Sequence, residues 1–330
     1  MQKKTPSKKS TPTSSKDEAL RPLSFAEYTG QSHMMRTLQV MVQAAKKRDE
    51  AVGHMLFSGP PGLGKTTIAH IVTNEMGSNL HMLAGPAIKG KADLVTALTK
   101  LKEKDVLFID EIHRLDLGAE ENLYPAVEDY YVDIKVGSGR GKRYTQMPLP
   151  KFTLLGATTR SGLVSSPMRT RMAKIFRMKY YEVSELASIA AMSAKKLGLD
   201  LTEAAAEVIA KRSRGTPRTA NQHLRMLRDY ATVDDIGRIQ PNYVSAVLDE
   251  CGVDRRGFEL LDRLYLKALI ETFDGGPVGL QTLSSVVGEE MSTIEEVVEP
   301  FMLREGFIKK ESRGRTATPK AVTYFSEASG

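Results

Sequence analysis

The octapeptide GPPGLGKT, Gly59 to Thr66, constrains the fold of this chain more than any other stretch. It fits the pattern G-x-x-x-x-G-K-[ST], follows the apolar run His54 to Ser58 and opens the helical stretch TTIAHIVTNEM. A strand, a glycine-rich turn and a helix in that order make a cradle for phosphate. Glycines let backbone N–H groups curl around the oxygens without Cβ obstruction, and the helix N-terminus adds partial positive charge. In such a loop Lys65 reaches the β- and γ-phosphates of a nucleotide and the Thr66 hydroxyl ligates Mg²⁺.

Two further apolar runs fit the same sheet. DVLFIDEIHRL places Asp110 and Glu111 at the carboxyl end of a strand. Two acids there are in isolation as easily a solvated turn. Beside the phosphate loop they read as a Mg²⁺ ligand, Asp110, and a residue that orients or deprotonates the attacking water, Glu111. FTLLGATTR ends the next strand with Thr158 and Thr159, either of which reaches the γ-phosphate or the water; Thr158 is preferred. Buried runs alternating with helical patterns predict an α/β domain, a doubly wound parallel sheet. The stretch YYVDIKVGSGRGKRYTQMPLP interrupts it as a β-hairpin about the turn Gly137 to Gly141.

Beyond Glu182 strand signals give way to apolar positions at helical spacing, as in VSELASIAAMSAKKLGL. From Asp254 three helical stretches precede the basic ribbon GFIKKESRGRTATPK, the outline of a winged helix. The expected organisation is a disordered basic tail over 1–19, a large nucleotide-binding domain over 20–181, a small helical lid over 182–253 and a winged helix over 254–330.

Composition adds limits. The net charge of +7 and pI near 9.2 suit a polyanionic partner, but Lys3, Lys4, Lys8, Lys9 and Lys16 concentrate part of it in the tail. The lone Cys251 reads as a small buried hydrophobe in a reducing cytoplasm. No apolar run approaches the ~18 residues of a membrane span, and the six histidines lack ligand spacing.

With these motifs assembled, the chain resembles one family, the RuvB-type Holliday junction branch-migration ATPases of the AAA+ class. The motifs particular to that family are LRPLSFAEYTGQ, LYPAVEDYYVDI, RGTPRTAN, FDGGPVGL and TIEEVVEP, spread from Leu20 to Ala321. The resemblance implies an ATP-hydrolysing homohexamer that pumps duplex DNA through four-way junctions, with RuvA docked on the 131–150 hairpin and the RuvC resolvase as a further partner. It implies that Leu20, Arg21 and Tyr181 line the adenine and ribose pocket, and that Gly62, Lys65, Thr66 and Thr67 hold the phosphates. It makes Arg218 the lid residue that closes on the γ-phosphate and Arg171 the finger inserted into a neighbour's site. Glu128, Asp129 and Tyr130 would face that same nucleotide, and Lys310 and Arg315, helped by Arg313, would lie on the DNA backbone. Where the family hairpin alternates aliphatics, this chain carries Tyr144, Thr145, Gln146 and Met147, so the expectation is a docking surface that is weaker or differently shaped, or a partner that has changed with it. Two other readings compete: a clamp-loader subunit, which would carry a helical collar in place of the wing, and an ATP-switched DNA-binding regulator, which would not need both Glu111 and Arg171.

Overall fold

The computed structural model describes residues 19–136 and 143–329. The tail, apart from Ala19, and the expected hairpin turn Gly137 to Gly141 lie outside the described residues. The chain divides into two compact units, the first running to Gly198 and including Thr216–Asn221, the second made of Leu199–Gly215 and Gln222–Gly330.

The first unit is built on strands β1 (Met55–Ser58), β2 (Leu80–Ala84) and β3 (Val106–Asp110), the antiparallel pair β4 (Tyr131–Val136) and β5 (Arg143–Pro148), and strands β6 (Thr153–Thr158) and β7 (Lys174–Arg177). Five of these form a parallel sheet in the order β2-β3-β6-β1-β7. Every residue of β1 and β6 is buried, as the unbroken apolar runs require of central parallel strands covered on both faces. In this order β6 lies between β1 and β3. The ends of three strands, and with them the phosphate loop, the two acids and the two threonines, therefore meet at one edge, where open α/β sheets bind ligands. On the hairpin, Val132 is buried, and Ile134 and Met147 pack against the same apolar core as Leu107, Leu123 and Phe152. Met147, the one clearly apolar residue expected on the docking face, is thus turned inward, while Thr145 and Gln146 are exposed.

In the second unit, β8 (Asp200–Leu201) and β9 (Arg238–Ile239) form a short parallel pair beside helices Glu203–Arg212 and Pro241–Glu250. Cys251, expected to be buried, is exposed just past the latter helix. Helices Leu260–Lys267 and Leu280–Val287, the helical run 291–304 and the ribbon of β10 (Ile308–Glu311) with β11 (Gly314–Ala317) make the winged helix. Its core is aromatic: Phe258 meets Phe301, Phe307 and Tyr324 edge-on at centroid separations of 5.2, 4.8 and 5.0 Å. Arg214 links this core to the helices before it, donating to the Gly257 carbonyl at 2.7 Å and to Asp262 at 2.5 Å while lying over the Phe301 ring.

Candidate nucleotide site and nucleic-acid interface

Lys65 is the first residue of helix Lys65–Met76 and is buried, with Gly64 before it in the left-handed conformation that brings the loop into the helix. Its Nζ donates to the carbonyls of Gly59 and Pro60 at 2.7 and 2.9 Å. Burial lowers its pKa, opposed by the nearby carboxylates of Glu111 and Asp110. The lysine is therefore a cation drawn into the loop and balanced by the two acids at the end of β3. Arg218, from RGTPRTAN, is exposed, and its backbone N–H donates to the Gly62 carbonyl at 3.3 Å, so this lid residue stands directly beside the loop.

Glu111 follows β3 with a left-handed backbone, φ 49° and ψ 48°, and its N–H donates to the Asp110 carboxylate at 3.0 Å. The carboxylate of Glu111 accepts from the Thr159 hydroxyl at 3.1 Å. Thr158, the preferred γ-phosphate residue, is placed otherwise. It is fully buried, accepts from the Arg160 N–H at 3.0 Å and lies 2.9 Å from His113 Nδ1. Alternation along a strand sends successive side chains to opposite faces, so a one-residue choice decides which threonine meets the acid, and that residue is Thr159.

Tyr181, expected near the base, is buried and donates to the Leu63 carbonyl in the loop at 3.3 Å. With its proton so directed, it accepts from Tyr28, whose hydroxyl lies at 2.7 Å. Tyr28 thus shares the outer wall of the loop and was not anticipated; a tyrosine in a loop of mixed polarity carries no sequence signal for this. Leu20 is buried, and Arg21 meets Nε2 of His70, on the helix that the loop opens, at 2.9 Å. Thr66 and Thr67 stand in the first turn of that helix.

Arg171 caps the short helix Ser166–Thr170. Its guanidinium pairs with Glu128 at 2.6 Å, donates to the Pro167 carbonyl at 3.0 Å and stacks over Tyr124, 4.8 Å from the ring centroid. The structure therefore joins two of the segments expected at a neighbour's nucleotide, while Asp129 and Tyr130 follow Glu128 at the helix end. The Arg171 Nε is buried without a hydrogen-bond partner among the described residues.

The wing departs from expectation. Lys310 and Arg315 face each other across the ribbon, but of the three cations expected on DNA only Lys310 and Arg313 are exposed. Arg315 is 8% exposed and forks onto Glu299, Nε to Oε1 at 2.6 Å and a terminal nitrogen to Oε2 at 3.1 Å. Tyr265 donates to the same carboxylate at 3.2 Å. The guanidinium expected on a DNA phosphate is in this structure an internal cation, its pKa raised mainly by the bond to Glu299. A Cβ at Gly314 would overlap the backbone of Val278, which meets Arg315 in an isolated antiparallel bridge. Lys310 reaches Glu295 at 2.9 Å, with both side chains open to solvent.

Among the described residues no cluster of three metal-binding side chains occurs, and no helix is long and apolar enough to cross a membrane. Comparison with known proteins finds three family descriptions along the chain: "Holliday junction DNA helicase RuvB P-loop domain" over residues 20–178, "RuvB AAA lid domain" over 181–254 and "RuvB C-terminal winged helix domain" over 255–326. The chain is 49% identical over 311 residues to the Holliday junction branch migration complex subunit RuvB of Myxococcus xanthus, covering 94% of this chain and 91% of that protein. The solved structure of the Thermotoga maritima RuvB Holliday junction branch migration motor is 42% identical, with a TM-score of 0.85 over 93% of this chain and 98% of that one. A point variant of RuvB solved from the same source superposes with a TM-score of 0.86 at 43% identity, over the same shares of the two chains. A clamp-loader or regulator reading is not favoured by these matches, which include the winged helix.

Proposed function

The chain belongs to the RuvB family of AAA+ motors that drive branch migration of Holliday junctions by ATP hydrolysis, and on that premise we propose how its residues share the work. The observation that carries the proposal is the meeting of Lys65, Asp110, Glu111 and Thr159 at the carboxyl edge of β1, β3 and β6.

The N–H groups around Gly62 and the first turn at Thr66 and Thr67 receive the phosphates, and Lys65 exchanges its carbonyl partners for β- and γ-oxygens. Leu20, Arg21 and Tyr181, with Tyr28 behind, bound the base and ribose. Thr66 and Asp110 are hard oxygen donors of the kind Mg²⁺ takes beside phosphates and water, so they fit that ion, which when bound would neutralise charge on the phosphate oxygens. Glu111 holds the attacking water and takes its proton as the new P–O bond forms and the bond to the β-phosphate oxygen breaks. Thr159 orients that carboxylate, and Arg218 steadies the γ-phosphate with a charge that cannot be lost.

Arg171 serves the nucleotide of the next subunit in a homohexamer, with Glu128, Asp129 and Tyr130 at the same junction. Double-stranded DNA lies against the wing through Lys310 and Arg313, whose contacts to phosphate grip without reading sequence. RuvA docks on the hairpin, through a face in which Thr145 and Gln146 replace aliphatics. RuvC is a further partner, and the site of action is the cytoplasm.

The decisive experiment is Glu111→Gln in the full chain, assayed for ATP binding, turnover and strand conversion of a synthetic four-way junction with RuvA. Binding should persist while turnover falls roughly 10²–10⁴-fold, the range for a positioned acid–base group. Undiminished hydrolysis would remove Glu111 from the mechanism.

A further inference from the structure

The geometry points to His113 as a positioning residue for the water-activating carboxylate of Glu111, an assignment that rests on the reading of Glu111 given above. His113 lies in the single turn Ile112–Arg114 that follows Glu111, and its side chain is 6% exposed. Its Nδ1 stands 3.1 Å from Glu111 Oε2 and 2.9 Å from the Thr158 hydroxyl.

A carboxylate oxygen can only accept, so Nδ1 carries the proton; it hydrogen-bonds the Thr158 oxygen and sets the ring edge against the carboxylate as a close electrostatic contact. Thr158 Oγ1 already accepts the Arg160 N–H, which fixes the hydroxyl that borders the imidazole. The result is a continuous polar chain from the end of β6 to Glu111, running Arg160 N–H, Thr158, His113, carboxylate. The hydrogen-bond donor on that oxygen is the Thr159 hydroxyl, also from the end of β6.

The backbone of Glu111 is fixed as closely. It holds a left-handed conformation that a glutamate adopts only under constraint, its carbonyl accepts from the Arg114 N–H at 2.8 Å, and a Cβ at Gly85 would overlap that carbonyl. Strain stored at one residue, with the Thr159 hydroxyl and the imidazole edge both on Oε2, restricts the direction in which Glu111 presents its other oxygen, Oε1. His113 acts through Glu111 and touches no reacting atom. It also gives the burial of Thr158 a purpose: the residue beside Thr159 orients the imidazole that orients the acid.

The position of the donor supplies the test. Asparagine places a donor where Nδ1 stands, glutamine places one where Nε2 stands, and leucine fills the volume with none. In the full chain, His113→Leu should lower kcat roughly ten- to hundredfold, the scale of a polar interaction with a charged group, while the Kd for ATP is unchanged. His113→Asn should recover most of the rate, and His113→Gln should not. If the leucine variant does not fold, the Asn and Gln variants decide, and equal rates for those two overturn the proposal. Glu111→Gln is measured in parallel. If it abolishes turnover while His113→Leu leaves kcat intact, the positioning role alone is refuted; if Glu111→Gln is itself active, the reading beneath it is refuted as well.

Discussion

The phosphate loop and the wing are both short, basic and glycine-bearing, yet folding treats their cations in opposite ways. Lys65 is drawn into a loop whose other walls are the ends of β3 and β6, and its neighbours Asp110 and Glu111 are the acids its chemistry requires. Arg315 is drawn into its own domain, where Glu299 from the helical run 291–304 takes both sides of its guanidinium. In the first case sheet order decides what faces the cation. In the second the decision belongs to whichever side chain the helix behind the ribbon presents. A positive residue on a ribbon is therefore a DNA contact only where that helix leaves it free, as it does Arg313 at the tip.

The largest expected effect breaks this comparison on the wing side. Glu299 is 1% exposed, and removing it by Glu299→Ala leaves Arg315 buried without its counter-charge and Tyr265 without its acceptor. Breaking one half of a buried pair costs about 3–5 kcal/mol, so the winged helix should lose protection from hydrogen exchange while β1 and β6 keep theirs. The double variant Glu299→Leu with Arg315→Met, which removes both charges, should be far milder. A single variant as stable as the parent would mean that the pair does not hold the wing.

Next in size is a pH effect that asks whether the two units respond alike. His54, beneath the nucleotide sheet, accepts from the Leu154 N–H at 2.8 Å and lies 2.9 Å from the Val127 carbonyl. Burial lowers its pKa to about 4. His223 in the second unit is lowered to about 4 by burial and then by Arg214 and Arg212. A depressed folded-state pKa means that the unfolded chain binds the proton first. Stability is complete above the unfolded value near pH 6.5 and is lost as pH falls toward about 4. At pH 5 each histidine should cost its unit about 2 kcal/mol relative to pH 7.5, read by hydrogen exchange corrected for intrinsic rates. His223→Asn should remove the dependence from the second unit only.

How much of this was legible beforehand follows the same division. The parallel strands and the loop were readable because each is a contiguous run whose partners are fixed by topology, and the roles proposed for Asp110 and Glu111 follow from their position at a strand end beside the phosphate loop. The choice between Thr158 and Thr159 was not, since a shift of one residue exchanges the two faces of a strand. Tyr28 and His113 act through partners distant in sequence or in a turn with no pattern of its own, at 153 residues for the Tyr28–Tyr181 contact. The capture of Arg315 required knowing that the helix turns Glu299 inward, and TIEEVVEP offers Glu295, Glu296 and Glu299 without saying which is buried.

The smallest effect sharpens the comparison at the wing itself. Lys310 is held to Glu295 by an exposed pair, with side-chain exposures of 45% and 38%, and pairs of that kind are worth about 0–1 kcal/mol. DNA can displace it at little cost, whereas displacing Glu299 from Arg315 would strand a buried charge. Lys310→Ala should therefore weaken duplex binding equally at all sequences and make the salt dependence of log K shallower by about one unit, because one phosphate contact releases about 0.9 of a counterion. Arg313→Ala should do the same, and Glu295→Ala should tighten binding slightly by loosening Lys310, which keeps only its longer 3.9 Å pairing with Glu299. Arg315→Ala should instead lower the stability of the winged helix, with the salt slope of the folded fraction unchanged. A slope that falls for Arg315→Ala and holds for Lys310→Ala would reverse the assignment and place the buried arginine, not the exposed lysine, on the DNA.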